Sequence, residues 1–250
     1  MSEQVFRRST FRSRARRRIV AWFRARPWIY VPLRCATAKD ADGVSRALNP
    51  RTEIVIDAFP RSGNSFATVA FQDAQVKNVA VAHHFHAAAS ILYGASHSIP
   101  SLTFVRNPDD ACLSYALFSR TEDLDSVFQE YVNFYELILP VRQKLVVARF
   151  ETVIRDFGLV VDKVNDVFGT KFTSFQHTPE NVARVNAILA ERTTRRHGID
   201  GFGKGHGESP SAVKDELKAD ISTRLHDNSL HALRQKAISL HKTFDGGADV

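Results

Sequence analysis

The chain has 250 residues, 44% of them hydrophobic, and a formal net charge of +7 at pH 7. Its length allows one medium-sized domain with a full core plus a short appendage, and its hydrophobic fraction is normal for a soluble globular protein. Two cysteines, Cys35 and Cys112, are too few for a disulfide framework and stand outside any Cys/His cluster. This argues against a structural zinc site and favours a reducing, cytoplasmic compartment.

The positive charge is concentrated in an N-terminal arm. Residues 1–34 contain ten arginines, no lysine and one acid, whereas the rest of the chain carries 24 basic and 26 acidic side chains. The arm lacks the long apolar core of a signal peptide and is too charged to span a bilayer. It could be a loosely docked tail, contact nucleic acid, or lie on a membrane surface with its arginines near anionic head groups.

A strand, a polar turn and a helix are predicted between residues 53 and 71. The β-branched run at 54–56 suits a buried strand, and the apolar residues that follow the turn recur at helical spacing. The turn, residues 59–65, contains Arg61 and Gly63 directly before the start of the helix, where backbone N–H groups attract anions. This pattern indicates a phosphate-binding cradle. It is not a Walker A motif, because no lysine follows the glycine.

Three histidines end the second predicted strand, which covers residues 76–82. His83, His84 and His86 thereby fall at the carboxyl end of a strand, where open α/β sheets bind ligands. On a continued strand His84 and His86 would share a face. A metal site is disfavoured because no carboxylate or cysteine lies nearby in sequence. A neutral imidazole near pH 7 can instead act as a general base, and at least one of the three is expected to be structural.

The third predicted strand, residues 100–105, runs directly into Arg106 and a helix. Pro108 suits the first turn of that helix, and the two aspartates after it complement the helix N-terminus. Ser114 lies about two turns beyond Arg106. If the arginine folds back over the helix, its guanidinium and the Ser114 hydroxyl could converge on one anion.

Downstream residues predict packing elements. Residues 126–139 carry an aromatic stripe at helical spacing, more typical of a core than of base stacking. Residues 145–150 predict a fourth strand, residues 160–169 a helix that ends at Gly169, and Thr178 a cap for another helix. Short buried strands that alternate with helices predict an α/β fold with a parallel sheet.

Residues 192–207 combine six Arg, Lys or His side chains with five glycines. Such a composition does not suit a packed core. It predicts either a basic loop that folds over a polyanion or a connecting segment.

Taken together, these segments resemble the PAPS-dependent sulfotransferase family, whose donor is 3′-phosphoadenylyl sulfate (PAPS). The turn at 59–66 is similar to the family's P-[KR]-S-G-T-type loop, which binds the 5′-phosphosulfate. The sequence from Arg106 to Ser114 matches its R-N-P-x-D motif, in which a serine eight residues after the arginine helps to bind the 3′-phosphate. A catalytic histidine between the two motifs and a late R-[KR]-G segment have counterparts in the histidine cluster and in residues 195–198. The resemblance covers roughly residues 53–205.

The resemblance implies an α/β fold of three layers with a central, mainly parallel sheet, of the P-loop NTPase-like sulfotransferase type. It divides the chain into the Arg-rich arm and connector, residues 1–48, and a sulfotransferase-like domain, residues 49–250. The implied activity is transfer of a sulfuryl group from PAPS to an acceptor hydroxyl or amine of a carbohydrate, lipid or small alcohol, with no metal required.

The resemblance also implies the site residues. The implied donor-binding residues are Arg61, Ser62, Gly63, Asn64, Ser65, Phe66, Arg106, Ser114, Arg195 and Arg196. The implied catalytic groups are Arg61 and one histidine, His86 in preference to His84, because small residues follow His86 and leave room for an acceptor. Arg61 stands where lysine is common, Asn64 replaces threonine, and Phe66 replaces a tryptophan that stacks on adenine.

Two other functions fit parts of the sequence. A P-loop kinase of a nucleotide or sulfonucleotide would also use a phosphate cradle, but the missing G-K-[ST] sequence counts against it. A non-enzymatic adaptor would bind nucleic acid or a membrane surface through residues 1–34. The near-neutral body and the paired anion motifs argue against that as the whole function, and nucleic acid is the less favoured partner. Peripheral contact with a membrane surface through the arm is compatible with a cytoplasmic enzyme.

Overall fold

Four short parallel strands form a central sheet in the computed structural model, which describes residues 11–35, 48–197 and 221–250. The strands are β1 (Ile54–Ile56), β2 (Val81–His83), β3 (Ser101–Val105) and β4 (Val146–Arg149), in the order β2-β1-β3-β4. Val55 at the centre of the sheet pairs with Ala82 of β2 on one side and with Ser101 of β3 on the other. The predicted parallel α/β sheet is confirmed. All four carboxyl ends therefore meet at one edge.

Helices connect the strands and flank the sheet. Within the described ranges they are α1 (Phe11–Arg24), α2 (Pro27–Cys35), α3 (Asn64–Ala74), α4 (Ala88–Ser96), α5 (Pro108–Ser119), α6 (Leu124–Ile138), α7 (Phe150–Arg155), α8 (Phe157–Phe168), α9 (Pro179–His197) and α10 (Asn228–Gly246), with two 3₁₀ helices at Leu139–Lys144 and Thr223–His226. None of these described helices combines the length and apolarity needed to cross a bilayer.

Strand side chains alternate between the two faces of the sheet, so two cores form. Val55 and Val147 face a core built with α2, α4, α5, α6 and α10. Ile54, Ile56 and Phe104 face a second core built with α3, α8 and α9. The molecule is therefore three layers deep, with helices covering both faces of the buried sheet.

Local sequence signals explain where several helices begin and end. Asn107 caps α5 by accepting from the backbone N–H groups of Asp109 (3.0 Å) and Asp110 (3.4 Å). Thr178 caps α9 by accepting from the N–H of Asn181 (3.3 Å), and α8 ends at Gly169 with φ +66°. The aromatic stripe of α6 lies in the core, as its spacing predicted.

The described part of the arm is helical and docks on the body. Helix α1 approaches α6 through an ion pair between Arg17 and Glu130 (3.0 Å), and Tyr30 of α2 donates from its hydroxyl to the Phe85 carbonyl (3.3 Å). Pro32 lies inside α2. The predicted connector falls mostly on residues 36–47, outside the described ranges.

The chain beyond α10 runs beside β4. The Asp249 N–H donates to the Val147 carbonyl (2.8 Å), and the Val147 N–H donates to the Asp249 carboxylate (2.8 Å). The Arg149 N–H similarly donates to the Val250 carbonyl (2.9 Å). These bonds satisfy backbone groups that an edge strand would otherwise expose.

Candidate active site

The candidate site lies at the carboxyl edge of the sheet, where the strand order reverses. The chain leaves β1 towards β2 on one side and then crosses to β3 on the other, so a crevice opens between the ends of β1 and β3. The turn that contains Arg61 follows β1, the histidine cluster follows β2, and Arg106 follows β3. Three segments that are far apart in sequence thus share one edge.

The turn after β1 has an unusual backbone. Arg61 and Gly63 both lie in the left-handed region, with φ of +65° and +97°. A Cβ atom at Gly63 would lie 3.4 Å from side-chain atoms of Phe150 and Val153, so the glycine also permits close packing under the turn. The buried Asn64 side chain donates to the carbonyls of Phe59 (3.1 Å) and Ala58 (3.4 Å). Asn64 therefore stabilises the turn through hydrogen bonds on its buried side.

Arg61, Arg106 and Ser114 meet in one cluster. Arg61 Nε donates to Ser114 Oγ (3.1 Å), and Arg106 Nη1 donates to the Arg61 carbonyl (2.6 Å). The Arg106 guanidinium also lies 4.1 Å from the centre of the Phe150 ring, a cation–π contact. Two positive charges and a hydroxyl are thereby held together at the end of β3, directly before the start of α3.

The other predicted residues of the turn differ in their accessibility. Ser62 is fully buried, so its side chain points into the protein. Ser65 Oγ lies 3.0 Å from His84 Nε2 and is hydrogen-bonded to it. The ring of the partly exposed Phe66 packs against Phe175 and His177, with centroid separations of 6.2 and 5.8 Å.

The three histidines are arranged differently from the strand alternation that the sequence suggested. β2 ends at His83, and both His84 (φ +60°) and His86 (φ +48°) are left-handed, so the alternation of faces does not continue. His84 is held through both ring nitrogens, since its Nδ1 also lies 2.6 Å from His83 Nδ1.

His86 has a defined tautomer. Its Nδ1 lies 3.0 Å from the Ala58 carbonyl oxygen, which can only accept, so Nδ1 carries the proton and Nε2 carries the lone pair. Burial lowers the pKa of the His86 imidazole below its ordinary value. The charge of Asp57 opposes this shift, and the charges of Arg24 and Arg61 add to it. His86 is thus a neutral base near pH 7.

Asp57 supports this arrangement and was missed by the sequence reasoning. It is completely buried, and its carboxylate accepts from the N–H groups of Ala58 (3.2 Å) and His86 (3.0 Å) and from the Ser90 hydroxyl (2.6 Å). Burial raises the pKa of the Asp57 carboxyl, while His86 and these donors favour the ionised form. Its position directly after β1, at the end of a buried strand, is the signal that could have identified it.

The described part of the late basic segment, residues 192–197, lies in α9 and is not part of the cluster of Arg61, Arg106 and Ser114. Arg195 and Arg196 lie in the last turn of α9, and Arg195 Nη2 donates to Glu191 Oε1 (2.7 Å) on an exposed surface. The glycine-containing remainder, residues 198–207, falls outside the described ranges. In the portion of the chain that the structure describes, no group of three or more His, Cys, Asp or Glu side chains could hold a metal ion.

A pocket of about 560 Å³ opens beside His86. Phe59 and Pro60 of the turn form part of its wall, and α1, α5 and α6 supply most of the rest. Because Arg61 follows Pro60 directly, the pocket and the cationic cluster adjoin at one turn. The volume lies in the range of small-molecule sites.

Comparison with known proteins adds no family assignment. No protein-family model matches the chain, and a search of curated proteins finds no match either. What the site does is therefore inferred from its own geometry and chemistry.

Proposed function

We propose that this protein is a sulfotransferase that moves a sulfuryl group from PAPS to a hydroxyl or amine of an acceptor. The observation that carries this proposal is the contact between Arg61 and Ser114, supported by the bond from Arg106 to the Arg61 carbonyl. The two segments that resemble the 5′- and 3′-phosphate motifs of PAPS-dependent sulfotransferases adjoin at the switch point of the sheet. One doubly phosphorylated nucleotide is the ligand that would use both.

The residues present fit the donor chemically. On the 5′ side the left-handed turn at Gly63 and the N-terminus of α3, which no side chain caps, offer backbone N–H groups to an anion. On the 3′ side Arg106 and Ser114 offer charged and neutral hydrogen-bond donors. Phe66 follows the turn directly, is partly exposed, and is the candidate to stack on adenine. The three-layer fold and the sheet edge on which these groups stand suit the P-loop-like sulfotransferase architecture.

The reaction requires one bond to form and one to break. The acceptor oxygen or nitrogen forms a bond to sulfur, the bond from sulfur to the bridging phosphate oxygen breaks, and the departing electron pair stays on the 5′-phosphate. Arg61 and the turn N–H groups stabilise that charge. The acceptor's proton goes to His86 Nε2, the ring nitrogen with the lone pair.

His86 is a better candidate for the base than His84. Both ring nitrogens of His84 bond within the protein, to Ser65 and His83, so a proton transfer there would break an existing contact. His86 uses only Nδ1 for the Ala58 carbonyl and lies in the wall of the pocket. Its neighbour in the structure, Asp57, fixes its backbone and stabilises the imidazolium formed during transfer.

The proposal is tested with the desulfated product, adenosine 3′,5′-bisphosphate, and with radiolabelled PAPS. At one hundred times its dissociation constant the bisphosphate should stabilise the fold by about 2.7 kcal/mol, seen as a rise in the melting temperature. Arg61→Ala should lower the rate of sulfuryl transfer by roughly 10²–10³-fold, because it removes charge stabilisation at the leaving oxygen.

The matched control is Arg51→Ala, which removes the same charge from an exposed position before β1. Its transfer rate should match that of the unchanged protein. Absence of any bisphosphate-induced shift would contradict the donor assignment, and near-normal transfer by Arg61→Ala would contradict the role of that residue. Magnesium-dependent turnover of ATP instead would favour the kinase alternative.

A further inference from the structure

The pocket beside His86 has a strongly cationic wall. Its lining contains four arginines, Arg16, Arg17, Arg24 and Arg120, and one acid, Glu130. Arg16 and Arg17 are adjacent in α1, Arg24 lies about two turns further along that helix, and Arg120 directly follows α5. The remaining lining is mostly apolar or aromatic, including Phe59 and Phe134. A pocket of this size and charge is suited to a small molecule that carries negative charge.

Glu130, the single acid in the lining, does not neutralise this positive charge, because its one carboxylate interacts with two of the four arginines. Glu130 Oε1 accepts from Arg17 (3.0 Å), while Glu130 Oε2 lies 3.9 Å from Arg24 and accepts from the Tyr115 hydroxyl (3.3 Å). Glu130 thereby fixes α1 against α5 and α6. Two of the four cations are positioned by one carboxylate, and the pocket keeps an excess of positive charge.

Arg120, the fourth cation of the wall, combines a buried side-chain nitrogen with an unusual backbone conformation. Its Nε is buried and has no hydrogen-bond partner among the residues that the structure describes. A buried donor on a cation is costly to leave unpaired, so such groups normally have an acceptor. Arg120 is also left-handed, with φ +51°, a strained conformation for a residue with a side chain. Because Nε has no accessible surface, a carboxylate, sulfate or phosphate in this pocket would pair with the terminal nitrogens of the Arg120 guanidinium.

We propose that this pocket binds the acceptor, and that the acceptor is a small anionic molecule whose acidic group is held by Arg120 and the arginines of α1. This inference rests on the proposed sulfotransferase function, since it assigns the substrate class of that site. The Arg-rich arm then contributes to substrate recognition. The acceptor's hydroxyl or amine is directed to His86, at the end of the pocket next to the turn that holds Arg61.

The test compares pairs of probes that differ in one acidic group. These are 4-hydroxybenzoate against 4-hydroxybenzyl alcohol, and glucuronate against glucose, each titrated into protein saturated with adenosine 3′,5′-bisphosphate. The bisphosphate keeps the acidic probes out of the donor site. Binding is followed by saturation-transfer NMR. The acid of at least one pair should bind about tenfold more tightly than its neutral partner, because a charge-assisted hydrogen bond is gained.

Arg120→Gln and Arg16→Gln should each remove most of this preference without changing the response to bisphosphate. Arg26→Gln is the matched control, because Arg26 belongs to the same arm but stacks on Trp22 at 3.8 Å outside the pocket. Equal binding of acid and neutral probes, no probe binding, or an unchanged preference in Arg120→Gln would each overturn the inference. If the acidic probes bind through Arg120 but bisphosphate does not raise the melting temperature, the proposed function fails while the anion selectivity of the pocket stands.

Discussion

One carbonyl oxygen decides which nitrogen of His86 can accept a proton. The Ala58 carbonyl takes the Nδ1–H, and burial together with Arg24 and Arg61 lowers the pKa of the imidazole, against the opposing charge of Asp57. Transfer requires the neutral base, so we expect activity to be lost as the pH falls through a value below the ordinary histidine pKa of about 6.5. Above that value the rate should be flat. The measurement is the pH dependence of kcat/KM for the acceptor.

His86→Asn is the variant that checks this assignment. It should transfer sulfuryl groups roughly 10²–10⁴-fold more slowly and should lose the acid limb of the profile. Its response to adenosine 3′,5′-bisphosphate should be unchanged, because the donor residues are intact. His97→Asn, on the exposed end of α4, serves as the control. An acid limb that persists in His86→Asn would assign the titration to another group.

Single residues also show what could be predicted from sequence. The residue types of Arg61, Arg106 and Ser114 indicate an anion site, and the structure brings the three residues into contact. The role of Asp57 could not be read from its position alone, because it depends on donors from a loop about thirty residues later. The inward orientation of the Asn64 side chain could not be predicted from the sequence either, because it follows from the left-handed backbone of the turn.

At the scale of elements, α5 joins the two halves of the site. It begins after the Asn107 cap, carries Ser114 to the cationic cluster and is followed directly by Arg120 in the pocket wall. Arg234 of α10 anchors its first turn through two bonds to the Asp109 carboxylate, 2.8 and 2.6 Å long. A shift of this one helix would therefore change donor and acceptor binding together.

The strands and the arm illustrate which elements sequence can predict. Each strand is a short, mostly apolar run, and β1, β3 and β4 lie within one residue of their predicted bounds. The second strand was predicted over residues 76–82, but β2 covers only Val81–His83. A loosely docked tail was one of several alternatives that the sequence left open for the arm, and the contacts that dock α1 and α2 could not be predicted. This docking depends on Arg17 meeting Glu130, 113 residues later in the chain, and no local pattern encodes such a contact. A run of arginines in a sequence is typical of a solvated surface, and the sequence does not show which distant acidic residue one of them pairs with.

Helix α4 rests on the sheet through Gly94, and this contact gives a stability prediction. A Cβ atom at Gly94 would overlap the Ser101 hydroxyl and lie 3.0 Å from Val55 Cγ2. We expect Gly94→Ala to lower the free energy of unfolding by about 1–3 kcal/mol, because the core would be overpacked. Urea denaturation measures the change.

Two further variants separate overpacking from other effects of that change. Gly246→Ala in α10 is the control, since its added methyl group meets open space, and its stability should change by less than about 1 kcal/mol. Gly94→Ala combined with Ser101→Ala should recover part of the loss, because the overlapped oxygen is removed. Equal effects of the Gly94 and Gly246 substitutions would show that α4 does not pack as described.

For the whole molecule, the order of the strands is what brings the anion-binding segments together. The alternation of strands and helices predicted a parallel sheet, but the order β2-β1-β3-β4 could not be read from the sequence, because the same apolar runs fit several orders. With β1 and β3 adjacent, the turn at Gly63 and the end of β3 at Arg106 share the switch-point crevice. A strand inserted between β1 and β3 would have separated these two segments.

This arrangement predicts that the two phosphates of one nucleotide are bound by separable groups. Adenosine 3′,5′-bisphosphate should bind more tightly than either adenosine 5′-monophosphate or adenosine 3′-monophosphate. Ser114→Ala should weaken the bisphosphate by about 10- to 150-fold, the range for a hydrogen bond to a charged group, and leave the 5′-monophosphate nearly unaffected. Isothermal titration calorimetry at fixed ionic strength measures the three affinities, with the exposed Ser96→Ala as control. Equal weakening of the 5′-monophosphate by Ser114→Ala, or a bisphosphate that binds no better than the monophosphates, would contradict the assignment. The turn at Gly63 and the segment from Arg106 to Ser114 would then not bind the two phosphates of one nucleotide.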